Sequence, residues 1–117
     1  MSAADQAIEA EIVAKGLTAP RVTPADIEES IVVESYFTAA DGAINAGNPY
    51  HDSMTLLTFC VLVLRNGFTV TGESACASPE NFDAEIDCKI ARANAVQKIW
   101  PLMGYALRDR LAAEAAI

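Results

Sequence analysis

The stretch Asn66–Phe82 (NGFTVTGESACASPENF) holds the densest grouping of residues with chemical use. Phe68 and Phe82 can stack on a nucleobase, and Asn81 can bond its polar edge. Gly72 and the small residues around it let a ligand approach the backbone closely. A helix start at Ser78–Asn81 would offer free N–H groups to an anion, and Arg92 further along that helix could meet a phosphate. A simpler interpretation stands beside this one: Gly72–Ser78 is a strand-to-helix connector and Phe82 is core.

Catalytic constellations are not evident. Nucleophilic catalysis through a Ser–His or Cys–His pair would need the single histidine, His51. It stands in a polar loop with no orienting partner, so it reads as a surface residue. A metal site needs three or four convergent ligands, and His51 with scattered cysteines and acids has no such spacing. There is no GxGxxG and no phosphate-binding loop. The adjacent Glu28 and Glu29 do not share a helix face. The residues therefore suggest binding without catalysis, with no metal and no cofactor.

These side chains must be held by the elements around them. Residues 3–15 are Ala-rich, with Ile8, Ile12 and Val13 at helical spacing and Gly16 as a stop. Leu17–Val22 reads as a linker, so residues 1–21 are expected to be peripheral to a single domain spanning 1–117. Thr23-Pro24-Ala25-Asp26 is a helix start with a reciprocal cap. The stripe Ile27, Ile31, Val32, Ser35 and Tyr36 extends that helix to about Ala40, before a loop over Asp41–Ser53. An antiparallel hairpin follows, over about 55–64 and 68–74. Asn66-Gly67 is its turn, with both residues expected at positive φ.

The first hairpin strand is apolar on both faces, whereas a solvent-faced one would alternate. A lone hairpin is marginal, and no other strong strand is read in the chain. A partner subunit is the economical cover, so a homo-oligomer is expected, its sheet completed or covered by partner subunits. A helix over about 79–99 starts at Ser78-Pro79-Glu80 and turns Phe82, Ile86, Ile90, Ala93, Val96 and Trp100 to the core. Pro101 should break it and open a last helix over about 102–116, with Met103, Leu107 and Leu111 inward. The class is α+β.

Length and charge bound the function further. At 117 residues one core is the expectation, and 52% hydrophobic content is too apolar for disorder. The formal charge is −8, from 16 acids and 8 bases. Residues 1–60 carry nine acids against Lys15 and Arg21, while the remainder is nearly balanced. That acidity disfavours a polynucleotide or an anionic membrane as partner. It does not disfavour a small phosphorylated ligand at a local site. No export signal and no apolar run of about 20 residues is seen, so a cytoplasmic protein with Cys60, Cys76 and Cys88 as free thiols is expected.

The run Leu64–Leu111, with its NGF, SACxxPENFD and KIWPLMGY blocks, resembles the small tailed-phage protein family known as gene product 49-like. Val22–Gly42 is similar to that family's N-terminal helix. One departure is visible: Asp87-Cys88 stand where the family usually has Gly-Arg, which removes a cation from this helix. The family is in turn similar to the Thoeris anti-defence sponge proteins, which bind cyclic ADP-ribose-type immune signals without cleaving them. Some of those also bind cyclic oligonucleotides, as higher oligomers. The resemblance implies an oligomer, up to a hexamer, in the cytoplasm of an infected bacterium. Its pocket would lie between subunits, with Phe68, Asn81, Phe82 and Arg92 as adenine, ribose and phosphate contacts. A rival expectation is a phage interaction module that inhibits a host protein through its acidic surface. An enzyme that cleaves such a signal is the third.

Overall fold

A computed structural model describes residues 2–116. Its elements run α1 (Ala3–Ala14), α2 (Pro24–Ser30), β1 (Ile31–Thr38), α3 (Ala39–Asn45), β2 (Leu57–Leu64), β3 (Thr69–Ala75) and α4 (Ala84–Ala115). Short 3-10 turns at Asp52–Leu56 and Pro79–Asn81 precede β2 and α4. The fold is α+β: a three-stranded antiparallel sheet, order β1-β2-β3, with α4 packed across one face.

The start of α2 follows its residues. Thr23 accepts from the Asp26 N–H, and the Asp26 carboxylate accepts from the Thr23 N–H. The helix is shorter than its apolar stripe suggests. It stops at Ser30, whose hydroxyl donates to the Ile27 carbonyl, and Ile31–Thr38 is a strand instead of helix. The residues IVVESYFT are β-branched and aromatic, and β2 supplies the ladder partner that the helical stripe had to do without. A second capping box, Thr38 with Asp41, then opens α3 inside the stretch expected to be loop.

The hairpin forms where expected, with one difference at its turn. Within the turn only Gly67 has positive φ (88°), and Asn66 does not. Gly67 N–H donates to Leu64 O and Leu64 N–H to Phe68 O, each at 2.8 Å. This is a three-residue loop closed by a left-handed glycine, not the two-residue turn.

The C-terminal half departs most. Ser78 makes no side-chain cap, and Pro79–Asn81 is only a 3-10 turn. The true cap is Asp83, whose carboxylate accepts from Ile86 N–H. From Ala84 one helix runs to Ala115, straight through Pro101, so the two helices expected over 79–99 and 102–116 are one. Pro101 is exposed, so water can reach the carbonyl that its missing N–H leaves unpaired.

The helix stripe that meets the sheet is Asp87, Ala91, Ala95 and Ile99, while Ile86 and Ile90 are exposed. Gly72 explains the choice. A Cβ there would lie 2.1 Å from the Ala91 carbonyl oxygen and 2.3 Å from the Ala95 nitrogen. Backbone meets backbone, so small residues set the contact and larger ones turn outward. Ile27, Cys60, Leu62, Leu64, Val70 and Ile99 complete the core.

Candidate functional site

Arg92 lies on the side of α4 that faces α2 and β1. Its Nε donates to Glu34 Oε1 at 2.6 Å, and its Nη1 and Nη2 donate to the two Glu28 carboxylate oxygens at 3.2 and 2.8 Å. Glu34 also accepts from the Tyr36 hydroxyl at 2.9 Å. Glu34 points toward α4 because it pairs with Leu62, which is fully buried beneath that helix. The guanidinium holds both carboxyls below their ordinary value, mainly through these hydrogen bonds. The same bonds raise the already high guanidinium pKa. A phosphate at Arg92 must therefore compete with two carboxylates already bonded to it.

Beside Arg92 a groove of about 260 Å³ runs between α2, α4 and the start of α1. Ile27, Pro24, Val96 and the half-buried Trp100 give it an apolar floor, and Lys89, Glu28 and Asp5 rim it. A second cavity of similar size continues beneath α1 past Ile8, Ile12 and Trp100. No α1 residue is buried, and a bidentate Arg21–Glu9 pair at 2.6 and 2.7 Å ties the helix down. Glu28, Glu34 and the Trp100 groove were not anticipated from the sequence. Arg92 is 64 positions from Glu28 and 58 from Glu34, so no local pattern joins them.

The other three candidates lie elsewhere. Phe68 sits at the hairpin tip, 56% exposed, its N–H donating to Asn66 Oδ1. Asn81 is exposed and Phe82 half-buried, both just before α4. β3 separates Phe68 from Asn81 and Phe82, and its seven residues span about 20 Å. Within one chain the four residues do not converge on one pocket.

The start of α4 is also unlike the anion site expected at Ser78–Asn81. Asp83, Glu85 and Asp87 crowd its first turn, and Asp83 occupies the N–H of Ile86. Carboxylates already answer the positive end of this helix. Asp87 is buried and accepts from the Ser74 hydroxyl at 2.8 Å. The Asp87-Cys88 departure thus fastens α4 to β3 through Asp87.

His51 is exposed and local in its bonding: Nδ1 accepts from Ser53 N–H at 3.0 Å. Cys60, Cys76 and Cys88 are free thiols, and burial pushes Cys60 up. Among the described residues, no three His, Cys, Asp or Glu side chains converge as metal ligands. Among them, too, no helix is long and apolar enough to cross a membrane.

No curated protein and no solved structure matches the chain. A family model does match, over residues 22–111, and covers α2 through most of α4. By that match, the chain belongs to the phage protein (N4 Gp49/phage Sf6 gene 66) family.

Proposed function

We propose that this phage protein is an anti-defence factor that binds and sequesters a cyclic nucleotide immune signal without cleaving it. The ligand class is a cyclic ADP-ribose isomer or a cyclic oligonucleotide, captured by a homo-oligomer, up to a hexamer, in the cytoplasm of the infected cell. The observation that carries this reading is Phe68. A large aromatic ring stands exposed on a tight turn fixed by three hydrogen bonds, with no aromatic partner among the described residues. Such a ring is a stacking platform for a base. The span between Phe68 and the Asn81–Phe82 pair then calls for a site assembled from two chains. Phage family membership and the sequence resemblance support the same reading.

Calorimetric titration against cyclic ADP-ribose isomers and cyclic di- and trinucleotides tests it. Binding is expected for at least one, with intact ligand recovered after heat denaturation of the complex. Phe68→Ala should weaken that binding about 10- to 100-fold, the usual loss for a stacked base. No heat from any ligand with folded protein overturns the proposal, and a hydrolysed product would make the protein an enzyme.

The second reading, inhibition of a host protein through the acidic surface, is favoured by α1. That helix buries no residue and exposes Glu11. Deleting residues 1–21 should then abolish activity in infected cells while leaving nucleotide binding intact. Glu29 is the suitable α2 acid to neutralise alongside, because Glu28 is bonded to Arg92.

A further inference from the structure

We propose that the cleft between α1, α2 and α4 is a site for a small organic cation, an amine or ammonium on an apolar body, seated on Trp100 and held by Asp5. The two cavities beside Arg92 share Asp5, Pro24, Gln97 and Trp100, so they form one continuous cleft. Each is about 260 Å³, and together they reach the range of small-molecule sites, about 300–1,000 Å³. The proposal is separate from the nucleotide reading. Of that reading's four residues only Arg92 lines the cleft, and Arg92 is engaged.

The walls suit an apolar body. Trp100 lines both cavities and is half-buried, because part of it packs against the core as Val22 and Val96 do. Pro24 and Ile27 are buried on the first turns of α2, which the Thr23–Asp26 capping box fixes in place. Ile8 and Ile12 of α1 close the far side, and the Arg21–Glu9 pair holds that helix over the cleft.

Charge selects the ligand. Each basic side chain around the cleft already answers a carboxylate: Lys89 with Glu85 at 3.2 Å, Arg92 with Glu28 and Glu34, and Arg21 with Glu9. An anion would have to draw one of these cations from its acid. The Asp5 carboxylate is different: among the described residues it has no hydrogen bond and no ion pair, although its backbone N–H bonds Ser2. Asp5 and the four paired acids outnumber the three bases, so the site is net negative. Indole is also the best aromatic face for a cation. The acidic first half of the chain adds a field of the same sign.

Trp100 is the single tryptophan of the chain, so intrinsic fluorescence reports on this cleft. The full chain is titrated with 2-phenylethylamine and with its isosteric anion, 3-phenylpropionate. The amine should change the emission saturably, and the anion should bind at least ~10-fold more weakly. Asp5→Asn should weaken amine binding about 10-fold, the usual loss of one hydrogen bond to a charged group. Asp5→Glu should retain most of the affinity. Asp52→Asn removes the same charge from an exposed turn outside the cleft and should leave the affinity unchanged. Trp100→Phe, followed by calorimetry, should weaken binding about 2- to 5-fold. Circular dichroism checks that each variant is folded and keeps its helix content.

No saturable response to the amine, or equal binding of the anion, would overturn the proposal. So would an affinity indifferent to Asp5→Asn, one lowered as much by Asp52→Asn, or one that Asp5→Glu fails to retain. None of these results bears on the nucleotide titration, which Phe68→Ala reads at a different place in the chain.

Discussion

Leu62 and Val61 are neighbours on β2 and face opposite ways. Leu62 is fully buried under α4, among Ile27, Ile99 and the alanines of the helix. Val61 belongs to a row, Ser35–Val61–Thr71, on the opposite face, where Ser35 and Thr71 are exposed and Val61 is only half-buried. Both faces of the strand are apolar, yet they are used differently. The buried face is closed by smallness: Gly72, Ala91 and Ala95 let the helix backbone touch the sheet backbone. The open face carries bulk instead, with branched and aromatic side chains and no matching small-residue track. The difference shows that apolar content says a face must be covered, while side-chain size decides how close a cover can come.

Gly72→Ala should break this comparison with the largest effect. The new Cβ would meet the Ala91 carbonyl oxygen and the Ala95 backbone, and neither can swing away as a flexible side chain would. Overpacking costs about 1–3 kcal/mol where neighbours relax. Here α4 itself must shift off the sheet, so a loss at or beyond the top of that range is expected in urea denaturation. A loss under ~1 kcal/mol would mean that α4 is not seated as described.

Truncating each neighbour in turn sharpens the contrast. Leu62→Ala empties a fully enclosed site and should cost about 2–5 kcal/mol at any protein concentration. Val61→Ala should cost under ~1 kcal/mol in dilute protein, where its face meets water. If a second copy covers that face, the Val61→Ala penalty grows as the protein is concentrated. Equal, concentration-independent losses at the two positions would erase the distinction between the faces.

These faces were legible in the sequence to different degrees. The β2–β3 hairpin and the Thr23–Asp26 cap rest on short-range chemistry, and both stand in the structure. β1 was hidden because Ile27, Ile31, Val32, Ser35 and Tyr36 also fit a helical stripe. Pairing with β2, 20 to 33 residues away, overrides that local pattern. Of the α4 stripe that spacing predicts, Val96 and Trp100 pack against the core, while Ile86, Ile90 and Ala93 turn outward and Ala91 and Ala95 meet the sheet. Gly72 makes alanine the right size there, a constraint visible only across the interface. Pro101 looked like a stop, but a proline on an exposed helix face can be passed through when the rest of the helix is anchored. Of the candidate site, the availability of Phe68 follows from its turn. The engagement of Arg92 does not, since its partners come from α2 and β1.

The smallest effect concerns the rim between the two faces, where Arg92 ties α4 to α2 and β1. Its side chain is 27% exposed, with Glu28 at 33% and Glu34 at 39%, so solvent screens the pairs and Arg92→Met should cost only about 1 kcal/mol. Its signature is in the pH dependence. Glu28 and Glu34 are held below their ordinary value of 4.5 in the folded chain, chiefly by hydrogen bonds from Arg92. Above that value both are ionised in the folded and unfolded states alike, and their contribution is fully present. As pH falls through it, the unfolded chain takes up protons first. The contribution then declines and is gone once the pH passes below the folded values. The wild type should therefore lose stability on acidification from about pH 5 downward more steeply than Arg92→Met, so that the two curves converge in acid. A constant offset between them down to pH 3 would show that Arg92 acts through packing of its stem and not through its carboxylates.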